Sequence, residues 1–175
     1  LNLISLIDRP TSGKIEIESK DTSTNLNTIN DNIRAKKIGI IYQEKNLLAD
    51  FNAMENVYLA RLSVDNRKDK AVNDSKKIIK KVGLSSRMYH YPTELSGGES
   101  QRIAISRALI NSPAIILADE PTGNLDERTG ETTIDLLFDL QASYGTTLLL
   151  ITHDHQLAKK CDRTLSMLDG LLLEE

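Results

Sequence analysis

Residues 114–120 read Ala-Ile-Ile-Leu-Ala-Asp-Glu, a continuous apolar run that ends in two adjacent carboxylates. Two other short apolar runs, Ile38–Tyr42 and Thr147–Ile151, have the same character. Continuous apolar runs of about four to eight residues are typical of strands buried on both faces, as in parallel sheets. Because helical patterns separate these runs, the sequence predicts an α/β domain with a mostly parallel core sheet.

Two of the predicted helices carry clear start signals. Asn52 with Glu55, and again Ser96 with Glu99, have the three-residue spacing of a capping box. The helices are predicted to run from these positions to about Leu62 and Ile110, with a further helix between them over about residues 70–82. A capped helix exposes backbone N–H groups at its first turn.

The ends of the chain give weaker patterns. Leu1–Ile7 is apolar and precedes Pro10, so it is interpreted as the end of a buried helix. Lys14–Glu18 alternates and predicts a half-buried strand. Residues 19–35 predict a surface loop or short helix, and Asp154–Cys161 a helix. Asp169-Gly170, between two apolar runs, predicts a hairpin turn.

Composition excludes several classes of protein. The 175 residues carry a net charge of −3, with 39% hydrophobic and 27% charged residues, which suits one soluble domain. The negative charge offers no footprint for nucleic acid, and no nucleic-acid partner is expected. A single cysteine, Cys161, excludes an internal disulfide. No apolar run approaches the ~20 residues of a membrane span.

Residues 95–102 read Leu-Ser-Gly-Gly-Glu-Ser-Gln-Arg and open the second capped helix. Gly97 and Gly98 in the first turn would let a phosphate approach the N–H groups, helped by the positive end of the helix dipole. An ordinary capped helix behind a flexible loop explains the same residues.

Polar side chains follow each of the three apolar runs. Asp119 could hold Mg²⁺ at a strand end, and Glu120 could polarise a water for attack on a phosphate. Gln43 offers an amide oxygen for Mg²⁺ or water, and His153 could hydrogen-bond a terminal phosphate. Taken singly, each also fits a loop, a helix cap or an ordinary strand end.

The order of these motifs is more specific than any one of them. Gln43, Leu95–Glu99, Asp119-Glu120, Gly123–Asp126 and His153 together resemble the ATP-binding subunit of an ABC transporter, over essentially the whole chain. Residues 118–126 resemble the branch that serves lipoprotein release, macrolide-type export and the cell-division complex. Residues 152–159 and 167–170 are most similar to the lipoprotein-releasing ATPase, and the other two functions stay open as alternatives.

The resemblance implies a role for each matched residue. Glu120 corresponds to the catalytic glutamate, His153 to the switch histidine and Gln43 to the Q-loop glutamine, with catalytic roles for all three. Asp119 and Gln43 are implied as ligands of Mg²⁺. The residues implied to contact ATP bound by a second copy of the chain are Ser96, Gly97, Gly98, Glu99 and Asp126.

The resemblance also implies architecture and partners. The fold would be a P-loop NTPase-like ABC ATPase domain over residues 1–175, with an inserted helical subdomain over about 44–110. The expected partners are a second copy in an ATP-sandwich dimer and ABC transmembrane subunits, at the cytoplasmic face of the inner (plasma) membrane. The side chains expected to meet a transmembrane subunit are Leu47, Leu48, Phe51 and Met54.

One part of the family pattern is missing. The sequence contains no G-x-x-x-x-G-K-[S/T] loop, which supplies most phosphate contacts in such proteins. We therefore expect these residues to lack the N-terminal part of the domain and, alone, to bind ATP poorly. A non-hydrolysing remnant that still binds a partner is one alternative. A soluble ABC ATPase for DNA repair or chromosome organisation is another alternative. Such proteins usually carry long insertions between these motifs, and Gln43 and Ser96 are too close in sequence to leave room for one.

Overall fold

The structure is a computed structural model that describes residues 1–23 and 27–174. Over these residues the α-helices and strands are, in order, β1 (Glu16–Ile17), β2 (Lys20–Asp21), α1 (Asn27–Lys37), β3 (Ile38–Ile41), α2 (Ala53–Leu62), α3 (Lys68–Lys81), α4 (Gly97–Leu109), β4 (Ile115–Asp119), α5 (Glu127–Tyr144), β5 (Thr147–Ile151), α6 (His155–Ala158), β6 (Leu165–Leu168) and β7 (Leu171–Glu174).

The core sheet has the strand order β3-β4-β5, and both pairings are parallel. Ile41 lies opposite Ala118, and Asp119 opposite Ile151. The central strand β4 is the most buried, because Leu117 and its two neighbours are fully inaccessible to solvent. The predicted α/β fold with a mostly parallel sheet is confirmed.

Helices α2, α3 and α4 all lie between β3 and β4 in the chain. Helix α2 packs against both α3 and α4, and α4 packs back onto β3. Val57, Ile79, Ile103 and Leu109 are fully buried where these elements meet. The same apolar cluster continues to the sheet, so the helices and the sheet share one core.

Both predicted capping boxes are present. The Asn52 side chain accepts from the Glu55 N–H at 2.9 Å, and the Glu55 carboxylate accepts from the Asn52 N–H at 2.9 Å. At α4 the Ser96 hydroxyl accepts from the Glu99 N–H at 3.2 Å, and the Glu99 carboxylate accepts from the Ser96 N–H at 2.8 Å. The starts of α2 and α4 are thus fixed by local sequence.

Leu1–Ile7 is not a regular helix but a series of turns. The Ile7 N–H donates to the Asn2 carbonyl at 3.0 Å, and the Leu6 N–H to the Leu3 carbonyl at 3.2 Å. Leu6 has a φ of 59°. This pattern is the one that ends α-helices, so the segment has the geometry of a helix C-terminus without a regular helix.

The other terminal elements differ from the predicted ones in extent. The strand expected over Lys14–Glu18 is limited to β1, and residues 19–35 contain β2 and most of α1, with 24–26 outside the described residues. Helix α6 ends at Ala158, and the N–H groups of Lys160 and Cys161 donate to carbonyls three residues back, which forms tight turns. Leu157 is its one buried anchor.

The predicted turn at residues 169–170 joins β6 and β7. Asp169 and Gly170 have φ values of 48° and 80°, which a two-residue type I′ hairpin turn requires. No helix in the described part of the chain is long and apolar enough to cross a bilayer.

Candidate nucleotide-binding site

The predicted site residues that follow the core strands lie at one edge of the sheet. Gln43 follows β3 by two residues, Asp119 is the last residue of β4, and His153 follows β5 by two residues. Because the three strands are parallel neighbours, their carboxyl ends meet at the same edge. This edge is where open α/β sheets bind ligands.

Glu120 and His153 are in direct contact. The Glu120 Oε1 atom accepts from the His153 backbone N–H at 2.7 Å and lies 2.6 Å from its ring Nδ1. The Thr152 hydroxyl donates to Oε2 of the same carboxylate at 3.3 Å. The sequence placed Glu120 and His153 directly after two apolar runs, but it did not reveal this contact or the part that Thr152 takes in it.

The backbone of Glu120 is unusual. Its φ of 42° lies in the left-handed region, which a glutamate rarely adopts. Its N–H donates to the Ile151 carbonyl at 2.9 Å, so the pairing of β4 with β5 continues one residue past the strand. Strained backbone of this kind is concentrated at functional sites, because surrounding structure must hold it in place.

The His153 ring is 85% exposed, whereas the Glu120 side chain is 21% exposed. A carboxylate only accepts hydrogen bonds, so Nδ1 is the donor in this contact and Nε2 is left for another ligand. Both ring nitrogens donate only when the imidazole is protonated. A protonated His153 could therefore hold Glu120 and a phosphate oxygen at once.

Asp119 and Gln43 offer oxygen donors that suit Mg²⁺. Asp119 is half-buried, and no side-chain hydrogen bond or ion pair among the described residues involves it. The Gln43 Nε2 atom points to Asn124 Oδ1 at 3.5 Å, which leaves its amide oxygen free. Mg²⁺ takes one or two protein oxygens besides water and phosphate, so this pair fits the ion.

Residues 123–126 connect the Gln43 loop to Glu120. The Gly123 N–H donates to the Glu120 carbonyl at 3.0 Å, and the Asn124 amide donates to the Gln43 carbonyl at 3.3 Å. A Cβ at Gly123 would lie 2.9 Å from Gln43 Nε2, so the absence of a side chain at Gly123 lets the Gln43 side chain lie this close to its backbone. Asp126 caps α5, and the hydrogen bonds from Thr129 lower the pKa of its carboxyl.

The start of α4 is only partly open. Ser96 and Gly97 are exposed, as an approaching phosphate would require. Gly98 is buried, and a Cβ there would lie 2.5 Å from the Thr129 methyl carbon. A side chain at position 98 would thus force Thr129 on α5 to shift. Within the described residues, no hydrogen bond or ion pair joins Ser96–Glu99 to Glu120.

An ion pair that the sequence did not predict braces the same helix start. Arg87 Nε donates to the Glu99 carboxylate at 2.9 Å. The Ser96 N–H and Arg87 together hold the pKa of Glu99 below its usual range. Their separation of twelve residues matches no helix or strand period, so no local pattern could have revealed the pair.

Replacing Glu99 by Gln is expected to lower the free energy of unfolding by about 1 kcal/mol at pH 7, because the charge-assisted bonds are weakened. The native pKa of Glu99 is lowered, so its stabilisation is present above the ordinary pKa of Glu and is lost as the pH falls through the native value. Urea unfolding at a series of pH values from 7 downward should show the difference persist below the ordinary pKa of Glu and shrink as the carboxyl is protonated. A difference that does not depend on pH would contradict this, and Glu131→Gln, at an exposed site, is the control.

The four side chains expected to face a transmembrane subunit divide into two pairs. Leu48 is 49% exposed and Phe51 is 37% exposed. Leu47 and Met54 instead pack against the core cluster. Only Leu48 and Phe51 therefore present an apolar surface on the loop that follows Gln43.

Known proteins resemble this chain in sequence and in structure. Residues 1–123 match the family model described as ABC transporter. The lipoprotein-releasing system ATP-binding protein LolD of Shewanella frigidimarina is 42% identical over 172 residues, covering 98% of this chain and 72% of that protein. LolD of Shewanella sp. strain MR-4 is also 42% identical, over 98% of this chain and 74% of that protein.

Two solved structures of the ATP-binding cassette MJ0796 match the whole fold. The dimeric post-hydrolysis state, bound to ADP and Pi, gives a TM-score of 0.87 at 34% identity, over 99% of this chain and 78% of that one. A second dimeric structure gives 0.86 at 36% identity, over 97% and 75% of the two chains.

Proposed function

The chain belongs to the ABC transporter family, and we propose that it binds and hydrolyses ATP to power the release of lipoproteins from the inner membrane. The observation that carries the hydrolytic role is the meeting of Gln43, Asp119, Glu120 and His153 at one edge of a parallel sheet. The similarity to LolD proteins supports the transported class.

In the proposed reaction a water attacks the γ-phosphorus of ATP, the bond to the bridging oxygen breaks, and ADP and phosphate leave. Glu120 orients the water and accepts its proton. His153 donates to a γ-phosphate oxygen through Nε2. Asp119 and Gln43 would hold Mg²⁺, which neutralises phosphate charge.

The second half of the proposed site acts on ATP held by another copy of the chain. Ser96 and Gly97 lie exposed at the N-terminus of α4, where N–H groups and the helix dipole favour phosphate. Gly98, Glu99 and Asp126 shape the same surface. The dimeric state of the MJ0796 cassette supports a second copy as partner.

We also propose that residues 1–175 belong to a single ABC ATPase domain, with a helical subdomain over about 44–110. Helices α2, α3 and α4 between β3 and β4 support that division. Such a subunit would work at the cytoplasmic face of the inner membrane, bound to transmembrane subunits.

Replacing Leu48 and Phe51 together by Ser is expected to reduce co-purification with the transmembrane subunits by about tenfold or more, because the contact loses its two exposed apolar side chains. The double substitution of Tyr89 and Met167, also exposed apolar residues, is the matched control. Equal recovery of the partner by both double variants would contradict the docking role.

Phosphate release tests the proposed function. The protein is expressed from its complete reading frame, with and without the lipoprotein-releasing transmembrane subunits. We expect MgATP turnover that those subunits stimulate, while DNA has no effect. Stimulation by macrolide-exporter or cell-division subunits alone would overturn the lipoprotein assignment, and absence of turnover would overturn the hydrolytic one.

A further inference from the structure

Arg107, in the last turn of α4, reaches across to the loop that follows Gln43. Its Nη1 donates to the Asn46 carbonyl at 2.6 Å, and its Nη2 donates to the Lys45 carbonyl at 2.9 Å. More than sixty residues separate the partners in sequence. The guanidinium fork therefore joins two motifs of the proposed site, the Gln43 loop and the helix capped by Ser96.

The electrostatics of this contact favour a positioning role. Arg107 is half-buried, and burial lowers the pKa of its guanidinium. The ion pairs among the described residues include no carboxylate partner for it, so two neutral carbonyls receive its hydrogen bonds. Holding a cation away from water without a counter-charge costs free energy. The contact therefore fixes the position of two backbone carbonyls at a cost in the solvation of the guanidinium.

The loop that Arg107 holds is fixed at both ends. Asn46 has a φ of 47°, a left-handed turn that asparagine tolerates better than most residues. Beyond it, the buried Asn56 side chain accepts from the Leu48 N–H at 2.7 Å and donates to the Phe51 carbonyl at 2.8 Å. The exposed Leu48 and Phe51 side chains thus project from a segment clamped between α4 and α2.

We propose that Arg107 is a positioning residue that couples the Gln43 loop, with its exposed Leu48 and Phe51, to the helix that begins at Ser96. A partner that displaces this apolar surface then moves α4 through the bidentate contact. The coupling rests on the proposed function, whereas the hydrogen bonds by which Arg107 holds the loop do not depend on it. Arg107 touches no proposed ligand and is not a catalytic residue.

Two variants and a matched control test the proposal in the protein from the complete reading frame. Arg107→Lys keeps the charge but loses the planar fork, and Arg107→Gln also removes the buried charge. Arg102→Lys is the control, because Arg102 lies on the same helix, is also half-buried and also donates to a carbonyl, that of Val82 at 3.5 Å.

Hydrogen exchange measures how firmly Arg107 holds the loop that follows Gln43, and it needs no nucleotide. In both Arg107 variants, exchange of the Leu48 and Phe51 amides is expected to rise about tenfold, because their hydrogen-bonded loop opens more often. Arg102→Lys should leave these rates as in the parent. Parent-like exchange in Arg107→Gln, a variant relieved of the buried charge, would overturn the proposal even if the protein hydrolysed no ATP.

Stimulation of ATP turnover by the transmembrane subunits measures the coupling between the loop and α4. Transmembrane subunits should stimulate ATP turnover of both Arg107 variants about tenfold less than that of the parent, while the Kd for nucleotide changes less than about twofold. Replacement of a purely structural residue would instead lower the melting temperature and the nucleotide affinity together. Full stimulation of Arg107→Lys and Arg107→Gln would overturn the coupling, and a parent without turnover would count against the proposed function alone.

Discussion

Replacing Glu120 by Gln is expected to slow ATP turnover by about 10²–10⁴-fold, the range of a positioned general base. Glutamine has the shape of glutamate. Its amide oxygen can still accept from the His153 N–H, and its amide nitrogen can donate to the Thr152 hydroxyl in place of the second carboxylate oxygen. It cannot take the proton of the attacking water. The edge of the sheet should therefore stay intact while the chemical step is lost.

The same variant should accumulate as an ATP-bound dimer, since ATP that is not cleaved continues to hold two copies together. Phosphate release and size-exclusion chromatography with MgATP measure the two effects on the protein from the complete reading frame. Glu127→Gln, at an exposed position in the first turn of α5, is the control and should behave as the parent. Turnover of Glu120→Gln at the parent rate would remove Glu120 from its proposed role.

The sequence was sufficient for the sheet and its polar edge. Three apolar runs separated by helices left a parallel sheet as the natural arrangement, and a parallel sheet places the residues after Ile41, Ala118 and Ile151 at one edge. The two capping boxes were equally predictable, because each depends on residues three apart. Both features depend on residues that are close together in sequence, so the sequence alone is enough to identify them.

Contacts between residues distant in sequence could not be predicted in this way. Arg87 with Glu99, and Arg107 with the Lys45 and Asn46 carbonyls, follow no helix or strand period. Backbone acceptors carry no side-chain signal at all. The left-handed φ of Glu120 could not be predicted for a different reason. The surrounding structure imposes this conformation against the local preference of a glutamate.

Gly98 shows how a motif can have two explanations. The sequence suggested that this glycine opens the helix start to a phosphate, and the structure places it against Thr129. The neighbouring Gly97 stays exposed and can serve the ligand. One glycine of the motif therefore packs against α5, and its neighbour stays accessible to a ligand. The sequence cannot separate these two roles, because they depend on where α5 lies.

Gly39→Ala is expected to be the most damaging single-methyl addition in the sheet. Gly39 is buried in β3, and a Cβ there would lie 2.5 Å from the Ala108 carbonyl oxygen and 3.2 Å from Pro113 Cγ. A backbone oxygen cannot rotate away as a side chain can, so β3 and α4 must separate. Overpacking of this kind costs about 3 kcal/mol, a large part of the stability of an ordinary domain.

Gly130→Ala supplies the matched control, because the same methyl group enters a helix where space is available. A Cβ at Gly130 would meet the Thr122 Cβ atom at 3.5 Å, an ordinary contact. Alanine in α5 should stabilise by about 0.5–1 kcal/mol. Urea unfolding should therefore give opposite signs for the two variants. A Gly39→Ala protein as stable as the parent would mean that α4 is not held close to β3, and Arg107, the residue before Ala108, would then lose the fixed base from which it reaches the Gln43 loop.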